Sequence, residues 1–340
     1  MKLGIIGLPS AGKSTVFEAL TQTISMAEKK GENRINTMQV PDERLAALSN
    51  MFEPKKTIFA RVEYFLPGMM GSLKDQKIWT QVRDCHALIH VIRNFSGYGF
   101  DEPMPLDDFN ALDQELILAD LMVIEKRMER IEQDRQRGKK EYAEELALLN
   151  QCLKHLENEM PLRKFPELTE APALKGYGFV SAQPVLVLFN NDDEDDRLPV
   201  IENLTNKEDC MVIRGKLEQE LAQMSAEEAE DFLTEFKISA SATDRVIQRS
   251  CELLGLISFF TFVKKEVKAW NVKQGTVAVD AADVIHSDMK RGFIRAEVIA
   301  YNDLIEAGSY QEARKKGTVR LEGKNYTVQD GDVITFRFNV

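Results

Sequence analysis

Gly7-Leu8-Pro9-Ser10-Ala11-Gly12-Lys13-Ser14-Thr15 decides the fold, because it satisfies the pattern of Gly, four free positions, then Gly-Lys-Ser between a strand and a helix. Before it, Lys2-Leu3-Gly4-Ile5-Ile6 reads as a short buried strand. After it, Thr15-Val16-Phe17-Glu18-Ala19-Leu20 has helical spacing. Glycines let the backbone wrap closely while successive N–H groups point inward, and the following helix adds its positive end. Pro9, Ser10, Ala11, Gly12, Lys13, Ser14 and Thr15 are therefore the candidate phosphate-binding residues. Lys13 would reach the outer phosphates, and the Ser14 hydroxyl would help to hold magnesium. A chance glycine-rich turn is the competing reading, and the match at the start of the chain in the right context weighs against it.

Nucleotide-hydrolysing domains of this kind also hold magnesium through an Asp at the end of a later strand, followed by a glycine that senses the third phosphate. The matching stretch is Ile58-Phe59-Ala60-Arg61-Val62-Glu63-Tyr64-Phe65-Leu66-Pro67-Gly68. Gly68 is retained, but Phe65 occupies the acidic position. A neutral side chain cannot replace a magnesium-directed carboxylate, so binding and hydrolysis have to be judged separately. Glu63 is a poor substitute, given strand alternation and its distance from Gly68. The polar stretch from Ile24 to Asn50 reads as a mobile loop over the nucleotide followed by a short helix around Glu43 to Leu48. Thr37 is, by location, a candidate contact to magnesium or the third phosphate; an ordinary exposed threonine is the alternative.

With 340 residues the chain has material for one sizeable core and one or two smaller units. A formal charge of -11 removes any global basic field that would draw it to nucleic acid or anionic membrane, while leaving room for a local basic patch. No apolar run is long enough to cross a bilayer, so the expectation is a soluble, cytoplasmic protein without a membrane partner. Cys85, Cys152, Cys210 and Cys251 lie far apart, as buried free thiols rather than a metal set or disulfide grid. His86 and His90 have no accompanying metal ligands or nucleophile partner.

Further along, Ala87-Leu88-Ile89-His90-Val91-Ile92 and Pro184-Val185-Leu186-Val187-Leu188-Phe189 read as buried strands. Between them, Ile117, Leu121, Ile124, Met128 and Ile131 recur at four- and three-residue steps, and so do Leu146, Leu149, Leu153, Leu156 and Met160 beyond Gly138. This heptad spacing, broken by a polar turn, predicts two antiparallel helices with a charged tip. The tip carries Arg135, Arg137, Lys139 and Lys140, suited to RNA or an acidic protein surface, or else simply solvated. The run Asn190-Asn191-Asp192-Asp193-Glu194-Asp195-Asp196 follows a strand end, where an open parallel sheet reads its ligand. Leu217, Leu221, Met224, Phe232, Leu233 and Phe236 fit amphipathic helices. Lys264 to Lys268 reads as a polar transition into a C-terminal unit. There Phe293–Ile299, Lys324–Val328 and Val333–Phe338 suggest strands of a mixed sheet.

At both ends the chain resembles the YchF type of Obg-like ATPases within the P-loop GTPase superfamily (TRAFAC class). The resemblance rests on Gly7 to Thr15, on Val284-Ile285-His286-Ser287-Asp288 through Lys290-Arg291-Gly292-Phe293-Ile294-Arg295-Ala296-Glu297-Val298, and on Leu321-Glu322-Gly323-Lys324 and Val328-Gln329-Asp330-Gly331-Asp332-Val333 through Phe336-Arg337-Phe338-Asn339-Val340. It implies an α/β fold in which a P-loop mononucleotide-binding domain (1–106 and 161–270) carries an inserted antiparallel helical hairpin (107–160). A C-terminal beta-grasp-like TGS domain (271–340) would follow. It also implies a monomer associated with ribosomes or RNA. The family's Asn-x-x-Glu base motif, linked to ATP use, matches Asn191 and Glu194 here. A carboxylate accepts hydrogen bonds, which suits guanine as well, so the resemblance implies ATP with magnesium while GTP stays open. The chain departs from the family in Phe65, in a shortened stretch from Met69 to Lys77, in a cut-down first switch between Ile24 and Gln39, and at Arg214-Gly215-Lys216. Lys13, Ser14 and Gly68 are the candidate catalytic residues, with Ser14 as the metal ligand. Three functions stay open: an ATPase or GTPase with weak turnover, a nucleotide-responsive ribosome adaptor, and an RNA- or protein-binding scaffold.

Overall fold

The computed structural model describes residues 1–23, 31–68, 76–97, 99, 101–138, 142–235, 241–263 and 265–339. Strands β1 (Lys2–Ile6), β2 (Arg34–Gln39), β3 (Lys56–Ile58), β4 (Arg61–Leu66), β5 (Ala87–Asn94), β6 (Val185–Asn191), β7 (Asp209–Ile213), β8 (Leu256–Val263), β9 (Glu266–Lys273), β10 (Phe293–Ala300), β11 (Arg320–Glu322) and β12 (Asp332–Phe338) form two sheets, ordered β2-β4-β1-β5-β6-β7 and β11-β10-β12-β8-β9-β3. The chain divides into two compact units, Met1–Thr37 with Glu63–Val246 and Met38–Val62 with Ile247–Val340.

In the first unit, β1 lies between β4 and β5, and β5, β6 and β7 continue the sheet in parallel, with Gly4 opposite Phe65, Ile5 opposite Ile89 and Phe189 opposite Val212. Parallel strands bring their C-terminal ends to one edge, so the loops after β1, β4, β6 and β7 open on the same side. The buried runs of β5 and β6 show why both sheet faces must be covered. In chain order the helices are α1 (Lys13–Thr21), α2 (Glu43–Phe52), which belongs to the second unit, α3 (Gln76–Val82), α4 (Pro105–Gln136), α5 (Ala143–Glu157), α6 (Pro166–Thr169) and α7 (Gly215–Leu221).

Helix α4 belongs to two cores. Pro105 in its first turn and Asp107 and Asp108 beside the dipole's positive end start it, and Phe109, Leu112, Leu116 and Ala119 pack against the sheet with Leu88, Ile92 and Phe189. Further on, Ile117, Ile124 and Ile131 are buried at seven-residue intervals against Leu149, Cys152 and Leu156 of α5, which is the predicted hairpin. Arg127 holds Glu145 through two bonds at 2.8 and 2.9 Å, across the pair. Where the chain returns, the fully buried Asp120 carboxylate accepts the N–H groups of Val180 and Ser181 at 3.0 and 2.7 Å. Desolvation lifts that carboxyl to about 6.

The second unit is a mixed sheet: β8 pairs antiparallel with β9, β10 with β11 and β12, while β12 runs parallel to β8 and β3 to β9. Phe259, Ala278, Ala282, Phe293, Val298 and Ile334 share its core. Three expectations change here. Lys324–Val328 makes a single isolated bridge, between Thr327 and Val277, and the strand is Arg320–Glu322. Of the stretch read as a polar transition, Lys265 sits in the left-handed region at φ 65° and Glu266, Val267 and Lys268 already belong to β9. A division at 270–271 falls within β9.

Candidate functional site

The loop after β1 is held by sterics as much as by hydrogen bonds. Gly12 sits at φ 87°, and a Cβ there would lie 2.2 Å from Asn190 Nδ2. Only glycine fits both the backbone angle and the close approach. Helix α1 starts at Lys13, with the Gly12 carbonyl accepting from Val16 N at 2.9 Å. The Lys13 ammonium donates to the Leu8 carbonyl at 2.6 Å, and burial pulls its pKa down to about 8. A partly desolvated ammonium beside a ring of backbone amides favours an anion, which is what phosphate binding requires. Ser14 is exposed at the first turn of α1.

Of the two adjacent asparagines at the end of β6, Asn190 faces the loop. Its Nδ2 donates to the Ala11 carbonyl at 3.1 Å and its Oδ1 accepts from Gly215 N at 2.9 Å, so one side chain ties the phosphate loop to the segment after β7. Asn191 points the other way: it donates to the carbonyls of Asp195 and Arg197 at 3.0 and 2.9 Å and accepts from Asn94 at 2.9 Å. Glu194 is exposed. Asp193, with its side chain 40% exposed, accepts from Leu217 N at 3.1 Å. Asn190 is thus brought to the loop and Asp193 to the segment after β7, where the sequence points to Asn191 and Glu194. The spacing Asn-x-x-acid fits both pairs, and strand alternation, which places neighbours on opposite faces, is the signal that separates them. Behind Gly215, the buried Glu218 carboxylate accepts from Ala242 N at 2.7 Å and from the Thr243 hydroxyl at 2.9 Å, pinning α7 to the segment that follows it.

At the other side of β1, Phe65 is 2% exposed within the core of Ile78, Trp79 and Leu88, with the Lys2 ammonium 4.1 Å above its ring. The position the magnesium-directed Asp would take is therefore spent on packing. Gly68 N donates to Asn33 Oδ1 at 2.8 Å, and a Cβ on Gly68 would meet the Gly31 carbonyl at 2.1 Å. The amide that would sense a third phosphate is engaged by a side chain that the sequence did not single out. Thr37 lies exposed in β2, a strand where a mobile loop was expected. Residues 24–30 of that loop, Met69 to Asp75 after Gly68, Phe236, Lys264, and the tip residues Lys139 and Lys140 lie outside the described residues. Arg135 and Arg137 are exposed at the hairpin end, Arg135 at 3.9 Å from Glu132.

For a nucleotide the fit is good at the phosphates. Successive amides, Lys13 and the Asn190 brace are in place. For magnesium it is thin, since the described residues contain no cluster of three or more His, Cys, Asp or Glu that could hold a metal, and the loop offers hydroxyls, Ser14 among them, rather than a carboxylate. Magnesium would be held mainly by the nucleotide's own phosphates, as that ion tolerates.

A parallel sheet with a Gly-x4-Gly-Lys-Ser loop between its first strand and helix makes this a P-loop nucleotide-binding fold. The comparisons narrow the class. The chain is 36% identical over 361 residues to the "Ribosome-binding ATPase YchF" of Bacillus subtilis, covering 99% of both, and 33% identical over 360 residues to the protein of that name from Escherichia coli O157:H7, covering 100% of this chain and 99% of that one. The chain belongs to the YchF family of Obg-like P-loop GTPases. The family model YchF-GTPase_C, described as a protein of unknown function (DUF933), matches residues 256–339. In fold, it is similar to the Schizosaccharomyces pombe YchF GTPase, with a TM-score of 0.84 at 23% identity, covering 99% of this chain and 97% of that one. A GTP binding protein from Pyrococcus horikoshii OT3 aligns with a TM-score of 0.61 at 18% identity, covering 100% of both chains.

Proposed function

We propose that this protein is a cytoplasmic, monomeric purine-nucleotide-binding factor that associates with ribosomes or RNA and turns nucleotide over slowly or only with a partner. The observation that carries the nucleotide reading is the loop of residues 7–15, with Lys13 in its mouth and Asn190 bracing it from behind. The ribosomal partner is supported by the names of relatives that align along their whole length. The unit around β10 and β12 is read as a TGS-like, beta-grasp-related recognition module, supported by its mixed sheet and by the match over 256–339.

Weak turnover is supported by Phe65 in the core and by Asn33 on the Gly68 amide. Hydrolysis at this site would be direct attack of water on the third phosphate, with backbone amides and Lys13 holding the developing charge and no covalent enzyme intermediate. Magnesium, held by the phosphates and Ser14, would add charge neutralisation. The same two observations favour a second reading, a nucleotide-dependent adaptor without hydrolysis. Calorimetry with ATP and GTP, with and without magnesium, paired with phosphate-release kinetics, tests both. Binding with turnover supports the enzyme and binding without it the adaptor; a folded protein that binds neither nucleotide refutes the proposal in favour of a scaffold. Co-sedimentation with ribosomes tests the partner.

A further inference from the structure

We propose that the face of the second unit's sheet opposite its core carries a phosphate-binding site, formed by Arg295, Arg314 and Arg337 around the buried carboxylate of Glu297. None of these residues belongs to the phosphate loop. The proposal deepens the reading of this unit as a recognition module, and rests on that reading only for the source of the phosphate.

Strands β10 and β12 pair antiparallel, and alternation sends Ala296, Val298, Ile334 and Phe336 into the core. Arg295, Glu297, Thr335 and Arg337 therefore share the opposite face, with Arg295 directly across from Arg337 and Glu297 across from Thr335. Glu297 is buried and satisfied: its carboxylate accepts from the guanidinium of Arg314 at 2.9 Å, from that of Arg337, and from the Tyr310 hydroxyl at 3.3 Å. Tyr310 and Arg314 belong to the helix Tyr310–Lys316, which thus lies over this face. Both arginines remain more than half exposed, and each spends one nitrogen on Glu297, so the other donors of each fork are left for a ligand. Arg295 is exposed and makes no hydrogen bond or ion pair among the described residues.

Like charges directly opposite on paired strands cost stability. Arg295 accordingly turns toward the end of β11, its Nη1 3.5 Å from where a Cβ on Gly323 would stand, while Arg337 turns to Glu297. Three guanidiniums against one carboxylate leave two positive charges on this patch, although the chain as a whole carries -11. The acids of the flanking elements do not offset them, since Glu312 pairs with Lys315 at 2.6 Å and Glu322 with Arg320 at 3.8 Å. Planar forks oriented by a buried carboxylate match the oxygens of a phosphate in pairs, a geometry that a solvated surface does not need. A phosphate brings up to two negative charges, so it cancels the excess and relieves the repulsion between Arg295 and Arg337. A carboxylate ligand, planar and singly charged, would satisfy one fork and leave the others. Leu321, exposed on β11 opposite Glu297, offers an apolar neighbour for the organic part of a phosphate ester.

The test uses the full chain carrying Lys13→Ala, so that the phosphate loop does not mask the second site, with inorganic pyrophosphate and a short single-stranded RNA as probes. Calorimetry reads the first and fluorescence anisotropy at several salt concentrations the second. At least one probe is expected to bind, and Arg295→Gln together with Arg337→Gln to weaken it by about tenfold or more. For RNA, the slope of log affinity against log salt should fall by about one to two, the share of two phosphate contacts. Arg295→Lys keeps the charge and loses the fork, and should weaken the same probe several-fold. In buffer alone the thermal midpoint of Arg295→Gln should equal or exceed that of the parent, because a like-charge pair has been removed; an Arg295 that serves only the fold would lower it. Pyrophosphate binding without RNA binding keeps the site and refutes RNA as the source of its phosphate. Failure of the folded parent to bind either probe overturns the proposal. So does binding that the single exposed substitution Arg295→Gln leaves unchanged, a result that counts even if the double variant does not fold.

Discussion

Lys13 makes the nucleotide affinity depend on pH in a direction the structure specifies. Burial holds its pKa at about 8, below its ordinary value of 10.5, because the ammonium has lost water and has the neutral Leu8 carbonyl as its acceptor. A bound phosphate supplies the missing countercharge and raises that pKa again. Binding then takes up a proton wherever free Lys13 is deprotonated, roughly half a proton at pH 8 and about nine-tenths at pH 9. Affinity is flat below pH 8 and falls as pH rises through it, by up to about tenfold per unit, or about 1.4 kcal/mol. Titration at pH 7, 8 and 9 in buffers of different ionisation enthalpy measures both quantities. The expected result is about a tenfold weaker Kd at pH 9 than at pH 7, with buffer-dependent enthalpy. Lys13→Arg keeps its charge throughout and should abolish the pH dependence while retaining part of the affinity. A wild-type affinity that is constant from pH 7 to 9, with no proton uptake, refutes the assignment of Lys13 to the phosphates.

Gly12→Ala places a Cβ 2.2 Å from Asn190 Nδ2 at a φ of 87°, so nucleotide affinity should fall at least tenfold and stability by about 1–2 kcal/mol, read by calorimetry and urea titration. Asn33→Ala releases the Gly68 amide, and the affinity ratio of triphosphate to diphosphate should rise by about threefold to tenfold, the worth of one hydrogen bond. Replacing Arg135 and Arg137 together by Ala should weaken ribosome co-sedimentation and flatten its salt dependence; an unchanged salt profile would place the contact elsewhere.

Much of the fold could be read directly. The phosphate loop, the buried strands β1, β5 and β6 and the α4–α5 hairpin each carry a local signature, in glycine placement, in β-rich apolar runs or in heptad spacing, that needs no partner to be recognised. What escaped were features made by chain segments far apart. Strands β8 and β9 look alike as mixed polar and apolar runs, and only pairing with each other makes them a hairpin. The same holds at the site: both asparagines fit the spacing, and the facing of β6 toward the loop after β1 selects Asn190.

By itself the sequence determined that a phosphate-binding loop follows the first strand and that Phe65 stands in the acidic position, because both are statements about residue type at fixed spacing. Only the tertiary structure decided that Asn190 braces the loop, that Asp193 accepts from Leu217 N and that Asn33 takes the Gly68 amide. Each is a hydrogen bond across many residues of chain, and its direction is settled by which face of a strand or loop the fold presents.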